Sequence, residues 1–580
     1  MLLKKISLMF CLLVASLAVN AQEMKWYNPA DASFHVIQGQ VLQDEARDNM
    51  YHRLPADCKE TLGSRVWSLS KQSAGLSLSF STNAKEIKIR YKVALRHAMP
   101  HMPATGVSGL DLFTYNRHGK EVWLPGKYSF KDTVTYTYGP IEIANVKSKF
   151  HRYTLYLPLY NEVEWLEIGV ADGSKFRFEA PMQDKPIVAY GTSICQGACA
   201  SRPGMAWTNI LQRRLDRTVV NLGFSGNAMH ENSIIDVLTE IDAAVYFMDG
   251  LPNSASIPAP HLQDTLVKAV HRIRAKRPET PIVLADHLGY PDGPAYKKRR
   301  ETEEHALKSL EAAYQQLLGE GVKGLYRIRY ADIAMTADMT VEASHVTDYG
   351  MTTYANAYEP VLREILNAPK GDLPTTIPVK QQRDSYNWMD RHNQILAMKG
   401  VGKHYTRIVI GDSIMHFWGG VPTGAPAQRG TDSWEALGGE TLNLGCGHDR
   451  TENVLWRIQH GELDNVTADK VRLKIGTNNM SAGNTDDEIL AGIQAVVEAI
   501  RDRLPDAEIK VMGILPRRDR EARILAFNKR LAKLASKMGV EYGDPGKKLL
   551  LKKNLIDESL FTDGLHPNGE GYRRIAEDFK

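Results

Sequence analysis

Past its first two dozen residues this 580-residue chain has no apolar run of the length a bilayer core demands, so nothing there reads as a spanning helix. An excess of one charge is missing too. The 72 Lys and Arg against 68 Asp and Glu leave a formal +4, which gives a nucleic acid or an anionic membrane surface little to hold. Cysteine is scarce: Cys11 falls in the apolar leader, and Cys58, Cys195, Cys199 and Cys446 are too scattered to make a disulfide framework. Cys195 and Cys199 are spaced to share one helical face, where either a bridge or two buried thiols fits. His97 and His101 lack a matching second pair of ligands and read as loop histidines, so neither a metal nor another cofactor is implied.

What is present divides the chain. Lys4 and Lys5, an apolar run from Ile6 to Val19 and the small-residue exit at Ala21 form a cleavable secretory leader over residues 1–21, which predicts a secreted or periplasmic protein without membrane insertion. The remaining length calls for several domains. Over residues 22–183, short alternating runs such as Leu76 to Phe80 and Glu86 to Tyr91 are punctuated by Gly, Pro and Asn, the pattern of an antiparallel β-sandwich. At Pro186 continuous apolar runs begin to alternate with helical stretches, which predicts an α/β domain with a parallel sheet over 184–368. A proline-rich linker and lead-in helix occupy 369–404, and a second α/β domain repeats the same order over 405–580.

Each α/β unit places a serine directly after its first apolar strand, Ser193 and Ser413, and a histidine three residues after an acid near its end, Glu342 with His345 and Asp563 with His566. Nucleophilic catalysis needs such a set: a hydroxyl, an imidazole to take its proton, and a carboxylate to orient the ring and stabilise its charged form. A Gly-x-Ser turn alone is usually structural; strand context and the distant acid-x-x-His give these two their weight.

Those residues resemble the first and last motif blocks of the SGNH/GDSL hydrolase superfamily. Asn443 to Asp449 is similar to its second block and Gly476 to Asn479 to its third, while Glu452 to Arg457 and Leu565-His566-Pro567 look like the platelet-activating-factor acetylhydrolase branch. In the middle unit Asn221 to Asn227 resembles the second block and Asp249 to Asn253 a variant third block, and the β-rich segment looks like the module that accompanies this variant. The resemblance implies two three-layer α/β/α, flavodoxin-like hydrolase domains behind the sandwich. It implies catalytic triads of Ser413, Asp563 and His566 and of Ser193, Glu342 and His345. It also implies oxyanion holes at His448, with Gly447 beside it, and Asn478 in one unit, and at Gly226 and Asn253 in the other.

Three departures set expectations. Glu342 is one methylene longer than the usual Asp. His448 stands where the family has Gly, which is tolerable if its φ is negative. Arg472 and Lys474 interrupt a strand that should be apolar on both faces, so one face must be wet or charge-paired. His416 and Trp418 read as pocket wall or packing, and Arg517 to Arg520 as a solvated charge cluster. The function implied is hydrolysis of short-chain, acetyl esters on carbohydrates or other small esters. The alternatives are a lipid or platelet-activating-factor-like acylhydrolase, or one catalytic C-terminal unit beside a degenerate glycan-binding middle unit.

Overall fold

The structure is a computed structural model describing residues 23–116, 120–144, 150–333, 335–381, 387–422 and 428–580; the expected leader lies outside them. The first region is a sandwich of two antiparallel sheets. One runs Met24–Tyr27, Val163–Ala171, Ile87–Val93, Val134–Tyr138, Lys127–Ser129, and the other Phe176–Glu179, Ser77–Thr82, His151–Tyr156, Asp111–Tyr115, Glu121–Leu124, with Ile37–Gln38 beside Ser77–Thr82. Alternation decides the packing: in Ile87–Val93 every second residue is buried, and Ile87, Ile89 and Tyr91 meet Leu78 and Phe80 of the facing sheet in one core.

Both α/β units carry a five-stranded parallel sheet with the first strand between the second and third. The middle unit's strands are Ile187–Gly191, Val219–Gly223, Val245–Asp249, Ile282–Ala285 and Leu325–Ile328. The C-terminal unit's are Lys403–Gly411, Thr441–Gly445, Val466–Lys474, Glu508–Met512 and Glu541–Gly543. Strand residues alternate between two cores: Val188 and Tyr190 enter one, Ile187 and Ala189 the other, so helices must cover both faces. Such burial on both sides is why these strands read as unbroken apolar runs.

In Val466–Lys474 the inner cations Arg472 and Lys474 lie on the face that holds Val409, and both are paired. Arg472 meets Glu508 at 2.8 Å and the Lys580 carbonyl at 2.6 Å, and Lys474 meets Asp412 at 2.9 Å with both side chains fully buried.

The sandwich is not a separate body. Leu54, Trp67 and Leu69, the last two on the helix Ser64–Ser70, join the core of the middle sheet with Val220 and Leu222. The two α/β units also meet: Asp216, in the left-handed cap of helix Trp207–Leu215, takes Trp456 Nε1–H at 2.8 Å and Lys380 Nζ at 2.5 Å, while Arg217 donates to the Gln459 carbonyl at 2.7 Å. A cleft of about 370 Å³, lined by residues including Asn367, Pro369, Gln459 and Ala495, opens at this junction, and no site residue lines it. No helix among the described residues is long and apolar enough to cross a membrane.

Candidate active site

Each serine begins a helical turn at the C-terminal end of the first strand, the crevice where parallel α/β sheets bind ligands. Thr192 and Asp412 cap these turns, their side chains accepting from Ile194 N–H and Ile414 N–H. The turns lie hard against the second strand: a Cβ on Gly223 would come within 2.2 Å of Gln196 N, and one on Gly445 within 2.4 Å of His416 N. Glycine is needed there to bring the second block beside the serine.

The distant histidines then close on the serines. Ser193 Oγ donates to His345 Nε2 at 2.8 Å, and Ser413 Oγ to His566 Nε2, also at 2.8 Å. Each Nδ1 faces a carboxylate, which fixes the proton on Nδ1 and leaves Nε2 as the acceptor: Glu342 Oε1 at 2.6 Å and Asp563 Oδ2 at 2.7 Å. The longer Glu342 binds differently in detail. Its Oε1 alone takes both the ring and the His345 amide (2.7 Å), whereas Asp563 uses Oδ2 for the ring and Oδ1 for the His566 amide (2.7 Å). Burial alone would raise Asp563, but the amides and ring of the same loop outweigh it and hold the carboxyl below its usual range. Both loops put the residue after the acid in the left-handed region, Ala343 at φ 65° and Gly564 at φ 76°.

The second blocks need one correction and one reversal. Gly447 is not a free oxyanion donor, because its N–H goes inward to His416 Nδ1 at 3.1 Å. The same inward bond recurs in the middle unit from Ser225 N–H to Gln196 Oε1 at 3.1 Å. The next residues, His448 and Gly226, are exposed. His448 has φ 62°, not the negative value expected, and so keeps the left-handed shape that Gly226 has at 71°. An L-residue there is strained by about 1–2 kcal/mol. The third-block asparagines reach the second blocks: Asn478 Nδ2 donates to the Asp449 carbonyl at 2.9 Å, and Asn253 Oδ1 accepts from Ala228 N–H at 3.2 Å. Cys195 and Cys199 are unbridged.

Three family-model matches account for most of the described chain: the N-terminus of SGNH-hydrolase-type esterases over residues 24–176, and the GDSL-like lipase/acylhydrolase family twice, over 184–363 and 409–574. A platelet-activating factor acetylhydrolase IB alpha2 subunit of Homo sapiens is 32% identical over 201 residues, covering 33% of this chain and 80% of that protein. The Bos taurus alpha1 subunit is 28% identical over 206 residues, 34% of this chain and 83% of its own. A solved GDSL-like lipase from Bacteroides ovatus is 30% identical with a TM-score of 0.54, covering 60% of this chain and 98% of that one. The chain belongs to the GDSL-like lipase/acylhydrolase family. It is an esterase or acylhydrolase that carries the family's hydrolase unit twice.

Several residues that support these GDSL sites are outside the family motifs. Arg53, buried in the sandwich region, donates through Nη1 to the carbonyls of Asn221 and Gly223 at 2.9 Å each, the rim of the middle second block. Burial lowers it only to about 10, so it keeps its charge at neutral pH. Arg391, on the lead-in helix Trp388–Met398, does the same for the C-terminal unit: Nε to the Gly445 carbonyl at 2.7 Å and Nη2 to that of Asn443 at 3.4 Å. Behind each serine a tyrosine hydroxyl holds the turn, Tyr160 on Ser193 O at 3.1 Å and Tyr572 on Ile414 O at 2.7 Å. Their local sequence carries no signal: Arg391 stands between Asp390 and His392, Tyr572 between Gly571 and Arg573, and Arg53 follows His52. Arg518 pairs with Glu558 on the surface, and His416 is a hydrogen-bonded support rather than wall.

Proposed function

We propose that both units are serine esterases working through an acyl-enzyme. The observation that carries this is the repetition of one Ser–His–carboxylate relay, at 2.8 and 2.6 Å in one unit and 2.8 and 2.7 Å in the other, on two supports that differ at many positions. The serine Oγ attacks the ester carbonyl as Nε2 takes its proton. The imidazolium, held by Glu342 or Asp563, returns that proton to the leaving alcohol, and water repeats the sequence to release the acid. The developing oxyanion is met by the serine's own N–H, by the N–H of Gly226 or His448, and by a side-chain N–H of Asn253 or Asn478.

The acyl group we assign is acetyl, in keeping with relatives named as acetylhydrolases. The alcohol we assign is carbohydrate, since the leader-like first 21 residues point to export, where acetylated glycans are accessible esters. A lipid substrate is the second reading, favoured by the platelet-activating factor in those relatives' names. The test is acetate release from acetylated glycans, and nitrophenyl esters of increasing chain length, by wild type, Ser193→Ala, Ser413→Ala and the double variant. Each single variant should lose one site and the double variant on the order of 10⁴-fold or more. A Ser413→Ala protein that binds acetylated glycan without hydrolysing any ester overturns the middle unit as an enzyme, and a preference for long acyl chains or phospholipid overturns the substrate.

A further inference from the structure

The sandwich region contributes more than scaffolding to the middle site. Met99 and Met102 bond to each other in both directions (3.0 and 3.2 Å), closing a tight turn with the exposed His101 at its tip. Thr105 Oγ1 ties the following helix to the Ser201 carbonyl at 2.7 Å, and Gly106 lies so close to the Ala200 carbonyl that a Cβ would approach it to 2.2 Å. The turn is thus fixed against the loop that carries Cys199. Cys199 is buried and held at φ 68°, an unusual conformation for a side-chain-bearing residue. The His101 ring lies 5.7 Å from that of the catalytic His345. One ligand atom from each of His101, Cys199 and His345 falls within 4.8 Å of the other two.

We propose that these three residues form an inhibitory zinc site that silences the middle unit and spares the C-terminal one. The set of two imidazoles and a thiolate is one that zinc favours among divalent ions, with a fourth position left for water. Tetrahedral zinc brings such ligand atoms to roughly 3.3–3.6 Å of one another. Closing from 4.8 Å takes a movement of about an ångström, shared between the exposed His101 ring and the partly exposed His345 side chain. Binding releases the Cys199 thiol proton to solvent and engages a ring nitrogen of His345. If that nitrogen is Nε2, the base no longer accepts from Ser193; if it is Nδ1, Glu342 loses its hold. Either way the relay is broken. Among the described residues no comparable set surrounds His566, whose neighbour is the ring of Phe417 at 5.2 Å.

The activity arm rests on the esterase reading of Ser193; the spectroscopic arm does not. In the full chain carrying Ser413→Ala, zinc chloride should cut esterase turnover about tenfold once free zinc stands tenfold above its Kd, and EDTA should restore it. The Ser193→Ala chain should be unaffected. Cys199→Ser and His101→Asn, each compared with its own zinc-free rate, should weaken the inhibition at least tenfold. Cobalt(II) added to the Ser193→Ala chain should give thiolate-to-cobalt charge-transfer absorption that disappears with Cys199→Ser, whether or not the middle unit turns over. Zinc inhibiting both units equally, inhibition undiminished in both ligand variants, or no thiolate–cobalt absorption overturns the site.

Discussion

The middle and C-terminal units hold the same relay on different supports, and the differences come in matched sets. The cap before the serine is Thr192 in one and Asp412 in the other. At the strand position paired with the preceding glycine, the middle unit has Asp249 and the C-terminal unit Lys474. Asp412 and Lys474 neutralise each other in full burial. With an uncharged threonine as cap there is nothing for a lysine to pair with, and the middle unit carries a lone buried acid that burial pushes up to about 8. Gln196 and His416 are likewise alternative acceptors for one inward amide, and burial beside Arg391 and Arg457 lowers His416 to about 3, so it accepts as a neutral ring. Each unit also tolerates one strained left-handed residue where the other has glycine: Ala343 against Gly564, and His448 against Gly226. The Ser–His–carboxylate geometry is preserved, and the groups behind it change together because an unpaired buried charge is costly.

The sharpest way to break the comparison is through the acids. Glu342→Gln in a Ser413→Ala background and Asp563→Asn in a Ser193→Ala background should each cost on the order of 10⁴ in kcat, if one carboxylate oxygen on His345 does the work of two on His566. Full activity in the Glu342 variant would show that the methylene has moved the role elsewhere. The next test concerns the two arginines. Arg53→Met and Arg391→Met leave buried carbonyls unpaired and should each destabilise by about 2–4 kcal/mol, read as a lower melting transition. The kcat of each one's own unit should fall while the other unit stays unchanged. Loss of both activities from either change would mean that the braces serve the whole chain.

Asp249 gives a pH-dependent test. Its folded pKa is raised, so the native state binds the extra proton. Its contribution is greatest below the unfolded value of 3.8 and is lost as pH rises to about 8. Asp249→Asn should therefore gain stability over wild type across that window, by an amount on the order of a few kcal/mol at pH 8, and little at pH 4. A melting-temperature difference independent of pH would sink the assignment. The smallest effect belongs to His448→Gly, which should stabilise by about 1 kcal/mol through relief of the left-handed backbone and leave kcat unchanged if only the amide acts. A loss of activity would give the imidazole a role on substrate.

That Ser193 would meet His345 with Glu342, and Ser413 would meet His566 with Asp563, was expected from the sequence, because a strand–turn–serine and an acid-x-x-His loop are local patterns. The period of the apolar runs likewise determined a sandwich followed by two parallel α/β units, since strands buried on one face alternate and strands buried on both do not. Local pattern cannot report how far a residue reaches across the chain. That Arg53 would brace a strand about 170 positions later, that Arg391 would do the same from a lead-in helix, and that Gly447 would turn its amide to His416 were decided only when separate segments packed together. The sign of φ at His448 was decided there too: the hydrogen-bonded second block sets the backbone, and the side chain adapts to it. Buried charges and carbonyls must find partners wherever the fold supplies them, and sequence order does not say where that is.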